Sequence, residues 1–136
     1  MKGNDLRLGN WIMGIGYMRV TELKTELGNN FITASNKDVV FMDEEDSFQP
    51  IELTEEVLLK IGFDAMHENR YMYEKSIINK HNINDDVYVT FHIINKTLKI
   101  NFSKNLQILN LYDIKYLHQL QNAYYCLTGK ELEVEL

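Results

Sequence analysis

Eight tyrosines, six phenylalanines and one tryptophan share this chain with only three arginines, Arg7, Arg19 and Arg70. Tyr17, Tyr71, Tyr73 and Tyr88 fall in segments of alternating polarity. In a strand, alternate side chains face outward, and an outward ring can stack on a flat heterocycle such as a nucleobase. Arg19 shares a strand face with Tyr17 and Thr21, and Arg70 adjoins Tyr71. A guanidinium fits phosphate bidentately, so an outward ring beside an arginine can hold a phosphorylated ligand. His92 and Lys99 fall on the polar side of an expected hairpin and can add positive charge. The candidate binding set is therefore Tyr17, Arg19, Arg70, Tyr73, Tyr88, His92 and Lys99, and its ligand would be a small anion of nucleotide type. The same residues also fit a plainer role, with the rings packing a small core and the arginines on the surface.

Covalent and metal chemistry find less support. Gly14-Ile15-Gly16 lacks the third glycine and the following helix of a phosphate-binding loop. There is no nucleophile elbow and no His-Glu-x-x-His. His67, His81, His92 and His118 show no metal-ligand spacing on one element. Cys126, the single cysteine, reads as a small buried or half-buried thiol in a helix. No cofactor, metal site or catalytic residue is expected. An enzymatic reading would need a cluster assembled from distant elements, such as His92 with residues around Lys99.

Two surfaces suggest a protein partner instead. Asp43-Glu44-Glu45-Asp46 lacks the spaced ligands of a calcium loop, but it could complement a basic protein. Along the last expected helix, His118, Asn122 and Tyr125 stack on one face beside Gln121, as a partner surface or a solvated flank.

The elements that must position these groups read as follows. Short alternating runs separated by turns at 14–16, 27–30 and 36–38 predict a curled antiparallel sheet or small SH3-like barrel over residues 1–52. Thr54 predicts an N-cap, with Glu55 and Glu56 in the first turn and Leu53 and Leu58 as a hydrophobic staple. Gly62 stops that helix. Residues 71–112 predict a β-meander, with 79–86 as a mobile loop. A two-residue turn at Asn95-Lys96 would pair Ile93 with Leu98 and His92 with Lys99. Leu106 to Leu111 could add a further strand. Asp113 is the expected cap of a last helix carrying Ile114, Leu117, Leu120, Tyr124 and Leu127 on its apolar stripe, with Gly129 as its stop. Leu132 to Leu136 alternates and could form a closing strand, or an edge for a homo-oligomer. The fold class is α+β: a β-rich front, a short linking helix, and a meander covered by a C-terminal helix. The whole is expected to be a single domain over 1–136, with subregions 1–52 and 53–136.

Composition sets the outer limits. The 136 residues suit one compact domain with at most two subregions, and no run approaches the ~18 apolar residues of a membrane span. No secretory leader is legible after Lys2, and one cysteine suits a reducing compartment, so a cytoplasmic protein is expected. The net charge of −6 opposes generic duplex binding. That charge is uneven. Residues 1–68 carry 6 Lys/Arg against 13 Asp/Glu, a net of −7, whereas 69–136 carry 8 against 7. A small anion therefore suits the back half better.

Three stretches resemble a known family. Leu53-Thr54-Glu55-Glu56-Val57-Leu58-Leu59-Lys60-Ile61-Gly62-Phe63 resembles its "LTEE-x-L-L-K-x-G-F" segment. Tyr116 to Tyr125 with Leu127-Thr128-Gly129-Lys130-Glu131-Leu132 resembles its "HQLQN-x-Y…LTG-x-EL" segment, and Leu6-Arg7-Leu8-Gly9-Asn10-Trp11 its "LR-x-GN" opening. The family comprises small uncharacterised proteins encoded by phages, prophages and mobile elements of Bacteroidetes. The resemblance implies a protein acting inside a bacterial host cell and brings no catalytic residues with it. The expected function is that of a non-enzymatic accessory protein that sequesters a nucleotide-type ligand against host defence. The alternative is an inhibitor or adaptor that meets a host protein through its acidic surface.

Overall fold

Alternating apolar residues in the first half build four strands: β1 (Trp11–Gly14), β2 (Gly16–Glu26), β3 (Asn29–Ser35) and β4 (Val40–Glu44). The computed structural model describes residues 5–76, 87–102 and 106–136. It divides into two units, one of 1–52 with 116–129, the other of 53–115 with 130–136. In the first unit the strands form an antiparallel sheet in sequential order. Ile12, Met18, Val20, Ile32 and Ala34 form a buried cluster with Leu6 and Phe48. A bulge between Val20 and Glu22 re-phases β2, so Leu23 packs against this cluster while Glu22, opposite Thr33, takes the face that Thr21 was expected to share with Arg19. After β4 and one tight helical turn, Gln49 exchanges two 2.8 Å backbone hydrogen bonds with Met13 on β1. The sheet thus curls back on its first strand, as a small curled sheet or SH3-like barrel requires.

The β2–β3 hairpin turns on Leu27 (φ +50) and Gly28 (φ +84). Positive φ at both central residues favours Asn-Gly, because a leucine Cβ crowds the backbone there. Leu27 is also fully exposed, so it gains nothing from burial. Leu27→Asn should raise stability by about 1 kcal/mol in thermal unfolding, and a loss would contradict this reading.

In the second unit, α1 (Glu55–Lys60) starts at Thr54, whose side chain accepts the Val57 N–H at 3.3 Å. Val57, Leu58, Ile61 and Phe63 are buried with Leu53, so the staple-capped helix is as expected. The second sheet has the order β5 (Asp64–Ala65), β6 (Met72–Ser76), β7 (Val87–His92), β8 (Thr97–Phe102), β9 (Leu106–Leu111), all antiparallel. Tyr73, Val89, Phe91, Leu98 and Ile100 are buried. Two residues of β6 reach the ends of α1. The Tyr73 hydroxyl bonds Glu55, and Lys75 Nζ donates to the Ile61 carbonyl at 2.9 Å. Burial, above all, holds the Lys75 amine below its ordinary pKa, against the opposing carboxylates of Glu133 and Asp64. Gly62 (φ +83) leaves the space this amine uses, for a Cβ there would lie 2.7 Å from it.

The α+β class is therefore as read from the sequence, with corrections in detail. The β7–β8 hairpin pairs Phe91 with Leu98, Val89 with Ile100, Thr90 with Lys99 and His92 with Thr97. The turn spans four residues instead of two, so the register moves by two and each residue keeps its face. Ile93 donates its N–H to Tyr71, continuing the β6 pairing. The last helix, α2 (Leu117–Thr128), follows Tyr116, whose N–H is accepted by Gln119 Oε1 at 3.1 Å. Asp113 sits at φ +59, outside the helix, and Ile114 donates to the Lys96 carbonyl instead. α2 groups with the first sheet, not with the meander it was expected to cover. Residues 132–136 form no strand; Leu132 is buried and anchors the tail. By the same change of register Tyr88 pairs with Asn101, not with Ser103 as a two-residue turn would have it. The expected loop at 79–86 and His81 lie outside the described residues.

Candidate functional site

The face of the second sheet opposite Val89, Phe91, Leu98 and Ile100 collects mostly polar side chains in rows fixed by strand pairing, with Thr90 and Thr97 themselves buried at 5% and 6% exposure. One row runs Glu74, Thr90, Lys99, Asn110 across β6 to β9. The next contains Ser76, Tyr88 and Asn101, and a third Met72, His92 and Thr97. These residues share a face because directly paired residues point the same way. Asn101 Nδ2 donates to Thr90 Oγ1 at 3.2 Å and ties two rows together. Among the described residues, no hydrogen bond or ion pair engages the Lys99 ammonium, at the centre of this face.

A stack borders it. The Tyr71 and His92 rings lie 6.3 Å apart at 29°. The Arg70 guanidinium sits 4.6 Å from the Tyr71 ring centroid and donates to the Tyr71 hydroxyl oxygen. Asn69 sets this corner by accepting the Tyr71 N–H at 3.0 Å. His92 Nδ1 accepts the Asn95 N–H at 3.2 Å, so the proton of a neutral ring rests on Nε2 and is available as a donor. The face thus offers an ammonium, a guanidinium, an imidazole donor, amide and hydroxyl groups and two half-buried tyrosines. It can bind an anion that carries a flat ring.

Of the candidate residues, Arg70, Tyr88, His92 and Lys99 belong to this face or its border. Tyr17 and Arg19 lie on the first unit's sheet, opposite Met13 and Trp11. Arg19 is exposed there, and its guanidinium lies beside Gly9, where a Cβ would meet Nη2 at 3.3 Å and the backbone holds φ +88. Tyr73 is corrected outright. It is 2% exposed, its ring is core, and burial followed by the bond to Glu55 raises its hydroxyl pKa. Thr90, Asn101 and Asn110 were missed, and Tyr71, read as a stacking ring beside Arg70, was left out of the set. The two-residue change of register hid the Thr90–Lys99 row, and a four-residue turn at 93–96 would have shown it.

The polar flank of α2 is corrected in part: Tyr125 is exposed, and Cys126 beside it is exposed instead of buried or half-buried. His118 and Gln121 are buried, at 2% and 1% exposure, and do not face a partner. Trp11 N–H donates to Gln121 Oε1 at 2.8 Å, while Gln121 Nε2 donates to the Gly9 carbonyl at 3.3 Å. Asn122 Oδ1 accepts from Asn10 Nδ2 (2.9 Å) and Arg7 Nε (3.2 Å), and its Nδ2 donates to the Asp5 carbonyl at 2.9 Å. Arg7 covers one face of the Tyr125 ring at 4.2 Å. The "LR-x-GN" and "HQLQN-x-Y" stretches are therefore two halves of one internal lock.

No family model, curated protein or solved structure matches the chain. Among the described residues, no His, Cys, Asp and Glu group is arranged to hold a metal ion. No described helix is long and apolar enough to cross a membrane.

Proposed function

We propose that this protein is a non-catalytic binding module that captures a small nucleotide-type anion on the outer face of its second sheet. The observation that carries the reading is the Lys99 ammonium, unengaged among the described residues, which shares its face with Asn101 and Tyr88, pairs with the buried Thr90 and is bordered by the Arg70–Tyr71–His92 stack. Lys99 and Arg70 would neutralise phosphate, and Tyr88 or the Tyr71–His92 pair would stack on the base. The resemblance to proteins of Bacteroidetes phages and mobile elements supports a setting in the host cytoplasm. Sequestering a nucleotide signal there would blunt a host defence.

A thermal-shift screen against mono-, di- and cyclic dinucleotides tests this. A ligand at 100 times its dissociation constant should stabilise the fold by about 2.7 kcal/mol. Lys99→Ala should weaken that ligand at least tenfold, with His92→Ala and Arg70→Ala adding smaller losses. No shift with any nucleotide, or a shift untouched by Lys99→Ala, refutes the proposal.

A further inference from the structure

The first sheet ends at β4, and among the described residues nothing pairs with its outer side. The Glu44 N–H shows which way that edge points. It donates to the Asp43 carboxylate at 2.8 Å and so faces away from β3. Backbone groups alternate sides along an antiparallel strand, so Val40 and Met42 also direct their N–H and C=O outward. Their side chains are 71% and 65% exposed. Free edges in soluble proteins are ordinarily blunted by lysine, proline or a bulge. Residues 40–44 contain neither residue, and the five β3–β4 pairs run without irregularity.

The charge at the end of this edge selects its occupant. Asp43-Glu44-Glu45-Asp46 runs off the C-terminal end of β4. Asn29 Nδ2 reaches Glu44 Oε1 at 3.5 Å and Asn30 Nδ2 reaches Glu45 Oε2 at 3.2 Å, which holds the acids beside the strand. Asp43, Glu44 and Asp46 enter no ion pair among the described residues. A nucleic acid would be repelled, and a second copy of this chain would bring a second acidic run to the same edge.

We propose that the β4 edge accepts an extended, basic segment of another protein as an added strand. Backbone bonds to Val40, Met42 and Glu44 would supply affinity. An apolar residue beside Val40 and Met42 and a lysine or arginine beside the acidic run would supply selectivity.

Two capped synthetic octapeptides test it, one alternating valine and lysine, the other valine and glutamate, titrated calorimetrically into the intact protein. The valine–lysine peptide should bind one to one, and the valine–glutamate peptide should not. Met42→Pro removes an outward amide without touching the β3 ladder and should weaken binding at least tenfold, as should Glu44→Lys with Glu45→Lys. If Met42→Pro does not fold, a peptide N-methylated on its bonding edge should lose binding to the unaltered protein to the same degree. The proposal is overturned by absent binding, or by binding that survives N-methylation, which would be charge attraction alone. It is equally overturned by a dimer of the free protein that Glu44→Lys leaves intact, since the edge would then belong to a second copy.

Discussion

Gln121→Leu should lower the unfolding free energy by about 3 kcal/mol, or roughly 10 °C in Tm for a chain of this size. Leucine keeps the volume, so no large cavity opens. What is lost is the pair of bonds to the Trp11 N–H and the Gly9 carbonyl. A buried group left without a partner costs about 1–3 kcal/mol, and this substitution strands two. Asn122→Ala should show a related loss, coupled to the first because both side chains hold the same segment at residues 5–11. Chemical denaturation of the single and double variants measures the coupling. A loss below about 1 kcal/mol for Gln121→Leu would mean that the segment finds other partners once released.

The second large effect is a pH dependence. Burial dominates the His118 imidazole and lowers its pKa from 6.5 to about 4, with the Asp5 carboxylate opposing. The ring is 2% exposed, stacks on Tyr116 at 5.8 Å, and its Nδ1 has no hydrogen-bond partner among the described residues. Above pH 6.5 the ring is neutral in both folded and unfolded chains, and stability does not depend on it. As pH falls toward 4, the unfolded chain takes up a proton that the folded chain refuses, so stability declines. A tenfold change in proton affinity corresponds to about 1.4 kcal/mol, so the total loss approaches ~3 kcal/mol. Below about 4 the folded protein also protonates and this contribution levels off. Carboxylates titrate in the same range, so the quantity to measure is the stability of the native protein minus that of His118→Phe at each pH. A difference that stays constant from pH 7 to 4 would show that the ring is not desolvated.

Local chemistry made much of the fold legible. Thr54 and Gly62 bound α1 because capping and positive φ are settled by neighbouring residues. The faces of β7 and β8 were legible too, since a register error of two leaves every face unchanged. What failed depended on contacts distant in sequence. Tyr73 alternates like an outward tyrosine, yet Glu55 and the core claim it. His118 and Gln121 read as a solvated flank, because nothing near them announces that Gly9 and Trp11 lie 110 residues or more away in sequence but within hydrogen-bond reach. The candidate site was half legible. Tyr88, His92, Lys99 and Arg70 were found by type and spacing, whereas the Thr90–Lys99 row needed the correct turn, and Tyr17 and Arg19 belong to another sheet.

The grouping of 116–129 with the N-terminal sheet has a consequence during synthesis. Strands β1 to β4 leave the ribosome first, but the side chains that satisfy Gly9, Asn10 and Trp11 are translated 110 residues or more later. At roughly 5–20 residues per second, that is an interval of about 5–20 s. Through it the nascent sheet must survive with its opening segment undocked, while residues 53–115 emerge in full. The part of the protein made first must thus wait for α2 before it is complete, and a chain stalled before α2 would display an incomplete front unit to the cell's proteases.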